Sequence, residues 1–171
     1  TIRVLPGMNF FLGETREEAI QLHKDAHAHL TTEQRLASVM RILGVDLSHL
    51  PLHARITADL LPDIGDSVRS KTYADLLRRI IEKEKPTLEE LLVKPEVIGS
   101  AHWVVIGTPL EAVEEITRWH ENSALDGFIA LPGGSVQSLN LFFEQVVPLL
   151  IEKGLFRQEY TGNTLWDHLK D

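Results

Sequence analysis

Three short runs that are apolar at successive positions, each followed by a helix-like stretch, constrain this chain most. They are Ile2–Leu12, interrupted by Pro6-Gly7, then Trp103–Ile106, and Asp126–Leu131, stopped by Pro132-Gly133-Gly134. A strand that is apolar on both of its faces has to be covered on both faces, which is the situation of parallel strands linked by helices. The pieces between the runs fit that grammar.

From Glu14 the apolar positions Ala19, Leu22, Ala26 and Leu30 recur at helical spacing. Thr31 with Gln34 forms a capping-box pattern ahead of Leu36, Val39, Met40 and Leu43, and Gly44 supplies the stop. A third helix is expected from about Ser67 to Lys85, ended by Pro86, and a short one behind Thr87 and Glu90. Thr108-Pro109-Leu110-Glu111 combines an N-cap, a proline at the first helical position and a boxed glutamate, opening a helix to about Asn122. The last long helix is expected to bury Leu139, Phe142, Phe143, Val146, Val147 and Leu150, with a kink at Pro148 and Gly154 as its cap; Trp119 is also read as core. Residues 45–65 show no period and read as a long irregular connection, and 155–171 as a C-terminal tail.

With 171 residues, 43% of them hydrophobic, the chain can build a sizeable core, and 1–171 reads as a single unit. A net charge of -8 repels phosphate backbones, so nucleic acid is not expected as a partner. No apolar run approaches the ~20 residues that span a bilayer, and the absence of cysteine fits a reducing compartment, so a cytoplasmic location is expected and a membrane is not. Three parallel strands leave two open edges, and the chain opens Thr1-Ile2-Arg3 on strand-like residues, so it reads as beginning within a larger fold.

Two clusters bear on chemistry. His23 and His27 stand one helical turn apart near Asp25 and His29, but they border an apolar stripe and are read as a solvated helix face; no metal site is assigned. Ser67, Arg69, Ser70 and Lys71 open the third helix, where free N–H groups and the dipole favour an anion, such as a phosphate or a substrate carboxylate.

Four segments in order carry a family resemblance: Val4-Leu5-Pro6-Gly7; Val105-Ile106-Gly107-Thr108-Pro109; Asp126-Gly127-Phe128; and Gly154-Leu155-Phe156-Arg157 with Glu159-Tyr160 and Thr164-Leu165. Together they resemble the nitrilotriacetate, dibenzothiophene-sulfone and pristinamycin-synthase monooxygenase group of the bacterial-luciferase superfamily. The resemblance implies an α/β fold, a TIM-like (β/α)₈ barrel of which this chain is the C-terminal portion, with a mainly helical insertion. It also implies a two-component monooxygenase in which a separate NADH:flavin reductase supplies reduced FMN, and the flavin and O₂ oxygenate a small organic substrate. Further implied partners are the missing N-terminal barrel segment, without which the chain is expected to be inactive, and a homo-oligomer contact through the tail. In a barrel the chemistry sits at the C-terminal strand ends, which selects Asn9, Phe10, Pro132 and Gly133 as substrate-facing, and the helix start at Ser67, Arg69, Ser70 and Lys71 as a candidate FMN-phosphate site. No catalytic residue is assigned. The chain departs from the family where Gly99-Ser100 is followed by Ala101-His102 instead of Arg-Gly-His, because histidine lacks the bidentate fork of arginine. The rival readings are a non-catalytic flavin-binding relative and a stand-alone α/β interaction domain.

Overall fold

The computed structural model describes residues 3–62, 68, 70–99, 102–160 and 162–168. Where the sequence order reads as a single unit, the packing divides the chain into two: Thr1–Ala26 with His102–Asp171, and His27–Ala101. The second is mainly helical.

The stranded unit is built on β1 (Gly7–Leu12), flanked by β2 (Trp103–Gly107) and β3 (Ile129–Pro132), all parallel, in the order β2-β1-β3. Met8 pairs with Trp103 on one side and with Ala130 on the other. Alternation sends Met8, Phe10 and Leu12 to one face, where they meet Ala112, Val113 and Ile116 of α6 (Pro109–Glu121) and Leu141, Phe142, Val146 and Leu150 of the C-terminal helices. Phe11 turns to the other face, edge-on to His23 of α1 (Arg16–Ala26) with ring centroids 4.8 Å apart. Helices therefore cover both faces of β1, and this explains why it is apolar at successive positions.

This order differs from the barrel expectation, in which consecutive strands would run β1-β2-β3. The chain steps from β1 to one side and then across β1 to the other, and right-handed crossovers in opposite directions place α1 and α6 on opposite faces. With three strands, that sandwich buries both Phe10 and Phe11, at 0% and 3% exposure, whereas a barrel arc would leave its inner face bare.

Local signals set the ends. Thr108 and Glu111 cap α6 reciprocally, and β3 starts at Ile129, later than expected, because Asp126 is spent on Val4: its carboxylate accepts the Val4 N–H at 2.8 Å and its own N–H donates to the Val4 carbonyl. The last helix is broken into α7 (Val136–Leu141), a π turn (Phe142–Val146) and α8 (Val147–Glu152). Pro148 has no N–H, and the wide turn just before it accommodates that loss in place of a simple kink. The inserted residue rotates the stripe: Leu141 is buried, and Phe143, expected in the core, is 60% exposed. Trp119, also expected there, is 38% exposed and donates its indole N–H to Glu115. The tail folds on itself, with Arg157 donating to the His168 carbonyl and Tyr160 against the ring of His168 in α9 (Leu165–His168).

The helical unit contains α2 (Thr32–Leu43), α3 (Lys71–Glu84), α4 (Leu88–Leu92) and α5 (Pro95–Ile98). Thr31 with Gln34 and Thr87 with Glu90 make the expected capping boxes, and Gly44 ends α2 at φ 73°. The connection expected to be irregular is pinned within its described part. A 3₁₀ turn occupies Ala58–Leu60; Leu47, Ile56 and Leu61 enter a core with Val39, Leu77, Ile81 and Leu91; and Ile56 and Ala54 hydrogen-bond Pro86 and Leu88. Its burial follows neither helical nor strand spacing, so periodicity could not reveal it. Among the described residues, no helix is long and apolar enough to cross a membrane.

The capping carboxylates give the fold an acid limb. Hydrogen bonds from the Thr87 and Thr108 backbone N–H groups hold Glu90 and Glu111 below the usual glutamate range, and the Val4 N–H does the same for Asp126. Groups depressed in the folded state stabilise it fully above their unfolded values, about 4.3 for Glu and 3.9 for Asp, and that stabilisation is lost as pH falls through the folded values. The melting temperature is expected to be flat from neutrality to about pH 5 and to drop below about pH 4. Glu111→Gln, which keeps an acceptor but cannot titrate, should show a shallower drop in the same scan; an unchanged acid limb would refute Glu111 as a contributor.

Candidate active-site cleft

The sheet order reverses between β1 and β3, and in open α/β sheets such a switch point, at the carboxyl ends of the strands, is where ligands lodge. A cleft of about 370 Å³ lies there, lined by Leu12 and Gly13 from the end of β1, Glu18, Gln21, Leu22 and Asp25 from α1, and Ser135 and Gln137 after β3. The spacing 18, 21, 22, 25 puts four residues on one face of α1, directly beyond the strand from which the helix springs.

Two glycine positions shape the cleft. Gly13 donates to the Gly107 carbonyl at 3.2 Å, and a β-carbon on it would lie 2.7 Å from the Ala19 backbone nitrogen. Gly134 has φ 83° and a β-carbon on it would stand 2.9 Å from the Leu22 side chain, while the ring of Phe11 rests where a side chain of Gly133 would stand. Ser138, fully buried, accepts the Leu12 N–H at 2.9 Å, and Ser135 caps α7 by accepting the Ser138 N–H. The strand end and the loop are thereby locked together.

Glu18 accepts the N–H groups of Glu14 and Thr15, and Gln21 donates to Asp25 at 2.7 Å. The lining thus offers two carboxylates, two amides, a hydroxyl and two leucines, and no cation. That set suits neutral or hydrogen-bond-donating groups and repels a phosphate.

The candidate residues from the sequence are only partly brought together. Pro132 and Gly133 sit at the end of β3 beside the cleft, Gly133 donating to the Phe10 carbonyl at 2.8 Å. Asn9 is half-buried in mid-strand, on the face opposite Phe10. Phe10 is a correction: neighbouring strand residues cannot share a face, and its ring is 0% exposed and stacked on Phe142 at 4.6 Å, so it packs the core instead of facing a substrate. Ser67 and Arg69 lie outside the described residues. Ser70 caps α3 by accepting the Tyr73 N–H, and Lys71 is the first residue of that helix. A shallow groove of about 340 Å³ beside them contains Arg79, already paired with Asp75 at 2.6 Å. Whether this helix start holds a phosphate turns on Ser67 and Arg69, which lie outside the described residues. Glu18, Gln21, Ser135 and Gln137 were not singled out from sequence, and Asp25 only as a neighbour of His23 and His27; the available signal was a polar helical face immediately after a strand end.

No family model matches the chain. Among curated proteins it is 31% identical over 169 residues to N-acetyl-S-(2-succino)cysteine monooxygenase of Bacillus subtilis, covering 98% of this chain and 37% of that protein. It is 32% identical over 170 residues to component A of nitrilotriacetate monooxygenase of Aminobacter aminovorans, covering 98% and 36%. Among solved structures, EDTA monooxygenase from Chelativorans sp. BNC1 superposes with a TM-score of 0.67 at 25% identity, covering 98% of this chain and 38% of that one. The chain spans about a third of the length of the relatives it matches.

Proposed function

We propose that this chain, whose homologues are luciferase-like monooxygenases, forms the C-terminal third of such an enzyme. In this reading the enzyme takes reduced FMN from a separate NADH:flavin reductase and uses O₂ to oxygenate a small organic substrate. The likeness to more than one monooxygenase, sustained over 98% of the chain, is the observation that carries it. The flavin supplies the oxygen chemistry, with the helix start at Ser67, Arg69, Ser70 and Lys71 as its proposed phosphate contact, and no step is assigned to the described residues through it. What they contribute is the switch-point cleft, with Ser135, Gln21 and Gln137 as neutral hydrogen-bonding groups, and Pro132 and Gly133 as proposed substrate-facing residues at the end of the strand that leads to Ser135. Asn9 belongs to the same proposal as a residue of the sheet face that a barrel would turn inward.

The barrel itself is part of the proposal. Parallel strands joined by helices are its units, with His27–Ala101 as an insertion. Closing it requires β3 to neighbour β2, whose outer edge at Val104–Ile106 borders an open groove in the present sheet. A second reading, a stand-alone α/β domain, is favoured by the doubly wound order that covers both faces of β1.

The two are separated by turnover under ¹⁸O₂ of the protein as it occurs in its host, with FMN, NADH and a flavin reductase. The substrates are nitrilotriacetate, N-acetyl-S-(2-succino)cysteine and dibenzothiophene sulfone. Oxygenation puts one atom of O₂ into the product and one into water, oxidising the reduced FMN. Labelled product is expected from at least one compound; oxidation of reduced FMN with no label in any product would rule out the monooxygenase reading.

A further inference from the structure

The cleft at the carboxyl ends of β1 and β3 combines an apolar surface with one carboxylate whose position is fixed, and the two together say what kind of molecule it selects. Leu22 is half-buried, lies against the loop at Gly134 and gives the cleft its apolar wall. Of the two carboxylates, Glu18 is spent on its own helix, where one oxygen accepts the Glu14 and Thr15 N–H groups before the first turn of α1. Asp25, two turns further on, has a different duty. Its Oδ1 accepts the Gln21 amide at 2.7 Å, which holds the carboxylate at the cleft and turns Oδ2 over to whatever enters it. The amides of Gln21 and Gln137 add acceptor oxygens to the lining, which includes no lysine, arginine or histidine. A protonated amine has three N–H donors and no acceptor, so it is the charged group this set satisfies. A carboxylate or phosphate meets like charge there with no cation to offset it. The net charge of -8 also draws cations toward the chain and turns anions away, so the long-range field and the lining act in the same direction. A volume of about 370 Å³ is at the small end of ligand pockets and suits a short aliphatic body.

We propose that Asp25 is a specificity-determining residue of this cleft, selecting small molecules that carry a protonated amino group on an aliphatic body. The ammonium group sits on Asp25 with the neighbouring amide oxygens, and the carbon chain runs along Leu22. The proposal rests on the reading of this cleft as the substrate site and adds the substrate class to it.

The test is a titration of the protein as it occurs in its host, without flavin, followed by saturation-transfer NMR. The probes are hexylamine, hexanol and hexanoate, which share one aliphatic body and differ in the charge of the head group. Wild type is expected to bind hexylamine about three- to ten-fold more tightly than hexanol, the value of a charge-assisted hydrogen bond in a cleft open to water, and hexanoate most weakly. Asp25→Asn keeps the shape and an acceptor for Gln21, and should lose that margin while binding hexanol as before. Leu22→Ala should weaken hexylamine and hexanol alike. Glu17→Gln removes one charge from the exposed side of the same helix, outside the cleft, and should bind as wild type does. Circular dichroism confirms the fold of each variant. No saturable binding of hexylamine by wild type would overturn the proposal, as would hexanoate binding at least as tightly. Equal losses in Asp25→Asn and Glu17→Gln would also overturn it, because the net charge and not the cleft would then be holding the amine. Neither flavin nor O₂ enters the titration, so the two readings fail separately. Amine binding without labelled product would keep Asp25 as the selector and remove the monooxygenase, and labelled product without amine binding would do the reverse.

Discussion

Phe10→Ala is expected to lower the stability of the stranded unit by about 3–5 kcal/mol, the usual cost of emptying a fully buried phenylalanine site. Phe10 is 0% exposed at the centre of the middle strand, its ring stacks on Phe142, and Met8, Leu12 and Ile116 complete the same cluster. A strand flanked on both sides cannot collapse into the space, so the cavity persists. All three tryptophans, Trp103, Trp119 and Trp166, lie in this unit, so tryptophan fluorescence during urea unfolding reads it separately from the helical one. A large fall in the urea midpoint, with the helical unit's far-ultraviolet transition unmoved, is the expected outcome. A midpoint within error of wild type would contradict the packing described for β1.

Gly13→Ala should be the second most damaging change, costing about 1–3 kcal/mol as overpacking against atoms that cannot step aside. A β-carbon there would stand 2.7 Å from the Ala19 nitrogen and 2.9 Å from the Thr15 carbonyl oxygen, both backbone atoms at the start of α1. Relief requires α1 to move away from the strand end, and α1 carries Glu18, Gln21 and Asp25 of the cleft. Gly107→Ala is the useful contrast. Its obstruction is the Glu111 carboxylate, 2.5 Å away but at the end of a flexible side chain, so its cost should be the smaller. If the two variants unfold at the same urea concentration, backbone crowding at Gly13 is not what demands a glycine there.

Much of the local structure was legible because its causes are local. Thr31 with Gln34, Thr87 with Glu90 and Thr108 with Glu111 each lie three residues apart, and the reciprocal bonds they form depend on little beyond the first helical turn. The apolar stripe of the last helix was less legible. A π turn before Pro148 inserts one residue and exposes Phe143, and a strict helical period does not anticipate that shift. The cleft was hardly legible at all. Its two halves, Leu12–Asp25 and Ser135–Gln137, are more than a hundred residues apart, and the bond from the Leu12 N–H to Ser138 that joins them has no local signature.

By itself, the sequence determined that the strands are parallel and that the middle one is apolar on both faces, where most helices begin, and which group of proteins the chain resembles, because apolar runs, caps and collinear motifs are written along the chain; β3, read as apolar too, is largely exposed. Only the tertiary structure decided that β3 pairs with β1 instead of β2, that the Phe10 face of β1 is the one packed against α6 and the C-terminal helices, and that a cleft forms where the strand order reverses. Those outcomes depend on which side of β1 each crossover takes. That choice is settled by burying both faces of one central strand, and no single segment encodes it.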